Sequence, residues 1–276
     1  MANFRNILIV GASGVIGTLR ASSKFLSPTQ TEVITIPDSY PTDDLVAAFK
    51  GQDVIINCMT TLSVTDQYRM IDAAIAAGVR RYVPSEYGLN NMRPDTQALN
   101  TVFHDKGKVQ EYLREKAAEG SIEWMSIACG MWLKWGMAHD FVGMHVKEGK
   151  FVFWDDGDGN FSCTTEENTA AGLVRALKMP DDTKNMCIFL SDFAITQKQL
   201  LAAIEMIQGV KYATESVNSQ DFIKEKQEAV RQGDVFATFG GHLEKEPGEI
   251  MNERLGLPKH TLDEVATDAL RSLGIF

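Results

Sequence analysis

The sequence predicts an α/β fold built on a doubly wound parallel sheet, with a smaller, mostly helical lobe toward the C-terminus. Three observations predict it. The chain opens on an almost wholly apolar run, residues 6–10 (NILIV), which reads as a strand buried on both faces of a parallel sheet. A glycine turn follows at once, Gly11-Ala12-Ser13-Gly14-Val15-Ile16-Gly17. Short apolar runs then alternate with amphipathic ones up to residue 150, the rhythm of strand–helix–strand units.

Element by element, residues 32–36 (EVITI) predict a second strand. Residues 43–50 (DDLVAAFK) predict a helix with Leu45, Val46 and Phe49 on one side and Gly51 as its stop. Residues 53–57 (DVIIN) predict the next strand, and 67–78 a helix on which Met70, Ile71, Ala74 and Ile75 share a face. A strand at 81–84 (RYVP), a polar-faced helix at 106–118 and a strand at 123–128 (EWMSIA) complete the first half. Past residue 150 the rhythm changes. Residues 151–155 (FVFWD) predict a short strand before a Gly/Asp turn at 156–160. A helix at 165–178, a strand at 186–191 returning to the main sheet, and a helix at 196–208 follow. The C-terminal stretch reads as helical and polar, punctuated by Pro247 and Pro258.

Composition narrows the function classes. A chain of 276 residues holds one large α/β domain, or a core domain with a smaller appended one. The net charge is −10 and no Lys/Arg cluster forms a basic face, so a nucleic-acid partner is not expected. No apolar run reaches the roughly 18 residues of a membrane span, and the N-terminal run lacks a small-residue cleavage site. The expectation is a soluble, cytoplasmic protein without membrane contact. Cys58, Cys129, Cys163 and Cys187 are widely spaced and read as buried free thiols. The five histidines show no ligand spacing, so no metal is expected. Asn160-Phe161-Ser162 fits a glycosylation sequon, which carries no weight without secretion.

The glycine turn carries the first chemistry. Its leading glycines permit a tight turn and close backbone approach to phosphate, and its last lets the helix pack on the strand. The helix N-terminus then offers free N–H groups and a positive dipole end to an anion. A strand–turn–helix of this kind holds the pyrophosphate of a dinucleotide. Residues 1–150 are therefore read as a dinucleotide-binding domain and 151–276 as a substrate-binding lobe. Ser85 and Glu86 follow the strand at 81–84, at the carboxyl end of the sheet where ligands sit in such folds. Glu86 could orient a lysine or cap a helix. Gly130, Met131, Trp132 and Trp135 follow the strand at 123–128 at the same end. Their ring and thioether surfaces suit a flat aromatic substrate; core packing or a subunit contact explains them as well.

Several segments, taken in order, resemble one family. They are the GASGVIG turn, Phe49-Lys-Gly-Gln-Asp-Val54, Val83-Pro-Ser-Glu-Tyr-Gly88, Phe103-His-Asp-Lys106-Gly-Lys-Val109, and Gly157-Asp-Gly159 followed by Thr164-Thr-Glu-Glu-Asn-Thr169. Together they make the chain similar to the isoflavone reductase-like and NmrA-like group of atypical short-chain dehydrogenases, with PSEYG the most specific piece. The resemblance implies a Rossmann-type sheet, NADP as cofactor with NAD the lesser alternative, and Lys106 as the catalytic residue, with Lys108 a weaker candidate. It implies cofactor contacts at Gly11, Ala12, Ser13, Gly14, Val15, Ile16, Gly17, Arg20, Ser22, Lys24, Thr60, Ser85 and Lys106. Substrate contacts are expected at Glu86, Tyr87, Gly130, Met131, Trp132 and Trp135. Tyr112 and Lys116 fit the YxxxK of ordinary short-chain dehydrogenases, but an amphipathic surface helix accounts for them.

The chain also departs from the family. There, a helix and a strand separate the glycine turn from an Arg-x-Ser-Ser-Lys-like segment that grips the 2′-phosphate. Here Arg20-Ala-Ser22-Ser23-Lys24 follows Gly17 almost directly, so the first half looks shortened by about one strand–helix unit, on the order of 20 residues. In one reading Arg20 and Lys24 keep their phosphate role. In the other, residues 15–25 form the first helix, 32–36 the second strand, and Asp38 takes the ribose hydroxyl of NAD. The expected function is an NADPH-dependent reductase of a small aromatic or conjugated substrate, with a lysine proton relay. The alternatives are a dinucleotide-binding regulator without turnover, or a non-redox isomerase or dehydratase on the same fold. A monomer or homodimer is expected.

Overall fold

The computed structural model describes residues 4–11, 34–59, 64–141, 143–231 and 249–275. By their contacts the residues form two units: Met1–Glu86, Asn91–Ser126 and Leu173–Ile188 in one, Tyr87–Asn90, Ile127–Gly172 and Phe189–Phe276 in the other. Residues 127–150 thus pack with the second unit, and 173–188 with the first.

In the first unit the Asp53 carboxylate accepts from the main-chain N–H groups of Arg5 (2.6 Å) and Asn6 (2.9 Å) and so sets the entry of β1 (Ile7–Val10). After α1 (Thr42–Phe49) comes β2 (Val54–Asn57), which pairs with β1 in parallel, Ile7 opposite Val54. Strand alternation sends Leu8 and Val10 to the core, while Ile7 and Ile9 on the other face stay 44% and 39% exposed. The opening strand is therefore buried on one face, not on both. Residues 34–36, expected as strand, join no sheet, and Ile34 is 46% exposed; residues 32 and 33 lie outside the described residues. An apolar run becomes a strand only where a neighbour satisfies its backbone.

The helix α2 (Asp66–Ala76) leads into β3 (Arg81–Val83), and the short α3 (Pro94–Gln97) precedes α4 (Thr101–Ala118) and β4 (Glu123–Ala128). The sequence placed the start of α4 at residue 106. The Asn100 side chain instead accepts from Phe103 N at 2.9 Å and caps the helix five residues earlier, so Lys106 lies well inside it. Leu45 and Phe49 of α1, Met70, Ile71 and Ala74 of α2, and Val109 and Leu113 of α4 share one core with Ile55, Tyr82 and Trp124 of the sheet.

The second unit holds β5 (Met131–Trp132), α5 (Leu133–Ala138), β6 (Met144–His145), β7 (Lys150–Trp154) and β8 (Phe161–Thr164). Then α6 (Glu166–Leu177) runs on to β9 (Met186–Phe189), which joins the main sheet in the order β1-β2-β3-β4-β9, as the return of 186–191 required. These strands form the side of a doubly wound sheet that follows the first strand. The remaining elements are β10 (Phe193–Ile195), α7 (Gln197–Gln208), β11 (Ala213–Val217), α8 (Ser219–Arg231) and α9 (Leu262–Ser272). Among the described residues the second unit carries, besides its helices, two three-stranded sheets, β10-β8-β5 and β11-β7-β6. Its core joins Leu133, Phe151, Phe161, Leu200, Ile204, Ala269 and Leu270.

No disulfide joins the four cysteines; Cys129 and Cys163 are buried, Cys58 and Cys187 half-buried. Among the described residues no helix is long and apolar enough to cross a membrane, and no group of three or more His, Cys, Asp or Glu could hold a metal ion.

Candidate active site

The carboxyl ends of β1 and β3 carry Gly11, Ser85 and Glu86 of the first unit. Gly11 leaves β1 at φ +73, and a Cβ there would lie 2.9 Å from the carbonyl oxygen of Cys58. No L side chain fits that turn, which is what the first glycine of a pyrophosphate turn requires. The rest of the turn, residues 12–17, together with Arg20, Ser22, Lys24 and Thr60, lies outside the described residues, as does the 15–25 helix of the alternative reading. Past β2, the Ser85 hydroxyl donates to Met59 O at 2.7 Å, and Ser85 N–H donates to Gln67 Oε1 at 2.9 Å. These bonds tie the loops after β2 and β3 together at the sheet edge. The Gln67 side-chain nitrogen is buried without a partner among the described residues.

Lys106 and Glu86 meet in the same unit. The Lys106 side chain is only 8% exposed, and its Nζ donates to the main-chain oxygen of Glu86 at 2.9 Å. The Glu86 carboxyl is 2% exposed. Its Oε2 accepts from Asn91 Nδ2 (2.7 Å) and Gln110 Nε2 (2.8 Å), while Ser126 Oγ donates to Gln110 Oε1 at 3.0 Å. Burial pushes this carboxyl above the ordinary glutamate range, against the pull of the Lys106 ammonium. Gly107 lets α4 come this close: a Cβ there would lie 2.4 Å from Gln97 Nε2 and 2.7 Å from Asn91 O. A buried ammonium anchored to a carbonyl can deliver a proton to one fixed point.

The other lysine and tyrosine candidates are held elsewhere. Lys108 is exposed and bonded to Glu111 at 2.7 Å, a bond that raises its pKa. The Tyr112 hydroxyl donates to Asp72, a bond that pushes it up to about 12, and Lys116 pairs with Glu119. The YxxxK spacing is thus met by a surface face of α4, packed on α2.

In the second unit, Tyr87 stands at φ +35, a strained value for a bulky residue. The Gly88 carbonyl after it accepts from the N–H groups of Cys129 and Gly130, at 3.0 and 3.1 Å, which brings Tyr87 and Gly130 into one turn cluster. Met131 and Trp132 form β5, and Trp132 Nε1 donates to Thr169 Oγ1 at 3.0 Å. Trp135 stacks on His139 with centroids 4.3 Å apart and meets Phe141 edge-on at 4.7 Å.

Four polar residues of this arrangement were not singled out in the sequence: Gln67, Asn91, Gln110 and Ser126. A signal for two of them existed. Gln67 lies on the stripe of Met70, Ile71 and Ala74, and Gln110 on that of Phe103, Lys106 and Leu113. A polar residue on an apolar stripe must find a buried partner.

The sequence pattern of the NmrA-like family matches residues 20–269. The chain belongs to the NmrA-like family. This NmrA-like chain is 28% identical over 296 residues to the oxidoreductase aprR of Aspergillus flavus, covering 96% of this chain and 98% of that one. Its fold is that of isoflavone reductase (TM-score 0.71, 21% identity, 95% of this chain and 98% of that chain). It is also that of the leucoanthocyanidin reductase–NADPH complex of Vitis vinifera (TM-score 0.75, 16% identity, 97% and 100%). The family match begins at Arg20, just past the glycine turn. The 296 aligned positions exceed the 276 residues of the chain, so aprR carries stretches that this NmrA-like protein lacks.

Proposed function

We propose that this protein is an NADPH-dependent reductase of a small aromatic or conjugated substrate. The observation that carries the reading is Lys106, buried in α4 and anchored through Nζ to the Glu86 carbonyl at the sheet edge. The names of aprR as an oxidoreductase and of its reductase neighbours support it. The chemistry supplied by bound NADPH is a hydride. The first unit would hold that cofactor through the turn from Gly11 to Gly17, with Thr60 and Ser85 beside it and Arg20, Ser22 and Lys24 at the 2′-phosphate. Lys106 Nζ donates the proton that balances the hydride, to the substrate atom left electron-rich. Substrate contacts are assigned to Tyr87, Gly130, Met131, Trp132 and Trp135, while Glu86, expected among them, is buried against Asn91 and Gln110. A cytoplasmic monomer or homodimer fits this role.

Calorimetric titration with NADPH, NADH and NAD, followed by NADPH consumption on α,β-unsaturated ketones, tests the reading. Lys106→Ala should keep NADPH binding and lose turnover. Unchanged turnover in that variant sinks the lysine assignment, and no binding of any dinucleotide sinks the cofactor. A second reading, a dinucleotide-binding regulator without turnover, draws on the short segment after Gly17. Tight NADPH binding with no consumption of any conjugated ketone favours it.

A further inference from the structure

The Glu86–Asn91 pair leaves two buried atoms unsatisfied. Asn91 Nδ2 donates to Glu86 Oε2, yet Glu86 Oε1 and Asn91 Oδ1 have no partner among the described residues. Glu86 and Asn91 are 2% and 1% exposed. If the acid is ionised, both orphans are acceptors, and neither can satisfy the other. A proton on Oε1 makes one of them a donor. A carboxylic acid and a primary amide then pair through two bonds, N–H to oxygen one way and O–H to oxygen the other. One proton removes two buried orphans, each of which otherwise bears the cost of lost hydration.

We infer that Glu86 is held as the neutral acid, its proton on Oε1 shared with Asn91 Oδ1, and that this pair with Gln110 clasps the turn whose carbonyl anchors Lys106. Glu86 is thus a positioning residue, a role that rests on the proposed function of Lys106. Burial acts in the same direction on the carboxyl. Of the groups that act on it, Lys106 of α4 is charged and favours the carboxylate, while Asn91 and Gln110 are neutral. Nζ spends a bond on the main-chain oxygen of Glu86, which stays an acceptor whether or not the side chain is ionised. The anchor therefore does not depend on a charged partner.

The proton can be tested without any substrate. A glutamate that stays protonated in the folded chain contributes stability that is complete below its unfolded pKa and is lost as pH rises through its folded value. Glu86→Gln has no such proton to lose. The Tm of Glu86→Gln relative to the parent should therefore climb from about pH 5 to about pH 8. A flat or falling difference overturns the inference. Carbon NMR of the glutamate-labelled parent needs no substitution at Glu86: one carboxyl signal should hold its protonated position at neutral pH. Burial also pushes up the Glu166 carboxyl, so the same spectrum is taken in Glu166→Gln. A signal that persists supports Glu86, and a signal that vanishes there overturns it.

Turnover of NADPH with an α,β-unsaturated ketone tests the positioning. Glu86→Gln, whose amide oxygen accepts the same two bonds, should retain about tenfold more kcat than Glu86→Leu. Equal losses overturn the clasp. If the parent shows no turnover, the reductase reading fails, while the stability and NMR results still decide the state of Glu86.

Discussion

Gln110→Leu removes one side chain and two bonds of the buried polar cluster. The amide nitrogen of Gln110 serves Glu86 Oε2 at 2.8 Å and its oxygen serves the Ser126 hydroxyl at 3.0 Å. Leucine fills nearly the same volume, so no large cavity opens. The loss comes from two buried groups deprived of a partner, each costing about 1–3 kcal/mol. Glu86 Oε2 keeps Asn91 and the Ser126 hydroxyl can rotate, so the low end applies to each, about 2–3 kcal/mol together. In a chain of this size that is a fall of roughly 5–10 °C in Tm. Urea unfolding followed by circular dichroism measures it directly. A cycle with Ser126→Ala isolates one bond: Gln110→Leu should cost about 1 kcal/mol less in that background. A single variant within about 0.5 kcal/mol of the parent, or a strictly additive cycle, would refute the bonded cluster.

Gly11→Ala should cost about 2–4 kcal/mol, from a left-handed φ and a Cβ set 2.9 Å from Cys58 O, read as a lowered Tm. Asp53 is held below the usual aspartate range, chiefly by the N–H of Asn6 and then of Arg5. Its contribution is present above the ordinary aspartate value and is lost as pH falls through the folded one. Asp53→Asn should therefore flatten the acid limb of the Tm–pH curve, and an unchanged limb rejects the account. Tyr112→Phe removes the bond to Asp72 and should keep turnover within about twofold, whereas a hundredfold loss would return the tyrosine to the chemistry.

The long elements were legible because their apolar residues repeat at fixed spacing. The strand at 123–128 and its neighbours at 81–84 and 186–191 read as bare apolar runs, and the sheet uses all three. The strands of the two small sheets, apart from the apolar run at 151–154, were not legible, because partners far along the chain define them. Phe161–Thr164 is a strand only through Met131–Trp132 on one side and Phe193–Ile195 on the other. Ala213–Val217 is polar and mostly exposed, so no pattern marks it. The run at 34–36 misled for the converse reason: its composition suits a strand, and the described sheet offers it no place. At the site, Lys106 came from the family resemblance, whereas its burial depends on Asn100 starting the helix early and on Gly107 admitting a neighbouring turn. Both residues stand near the lysine in sequence, but the Asn91 and Gln97 contacts that Gly107 admits do not show there.

The interleaving of the two units has a consequence for how the chain is made. Arg81 is wholly buried, and its guanidinium donates to Pro180 O and to Thr183 Oγ1, residues 99 and 102 positions downstream. During synthesis the strand carrying Arg81 emerges long before those acceptors exist. Glu123, 42 positions on, can pair with it first, at 2.7 Å in the finished structure. The far flank of β4 meanwhile waits for β9, which follows the whole 127–172 stretch of the other unit. A nascent chain halted before residue 180 would present an unfinished sheet edge beside a charge lacking two of its final acceptors, the state in which parallel sheets misassociate. Completion of the first unit thus waits for β9 to follow the intervening stretch of the other unit.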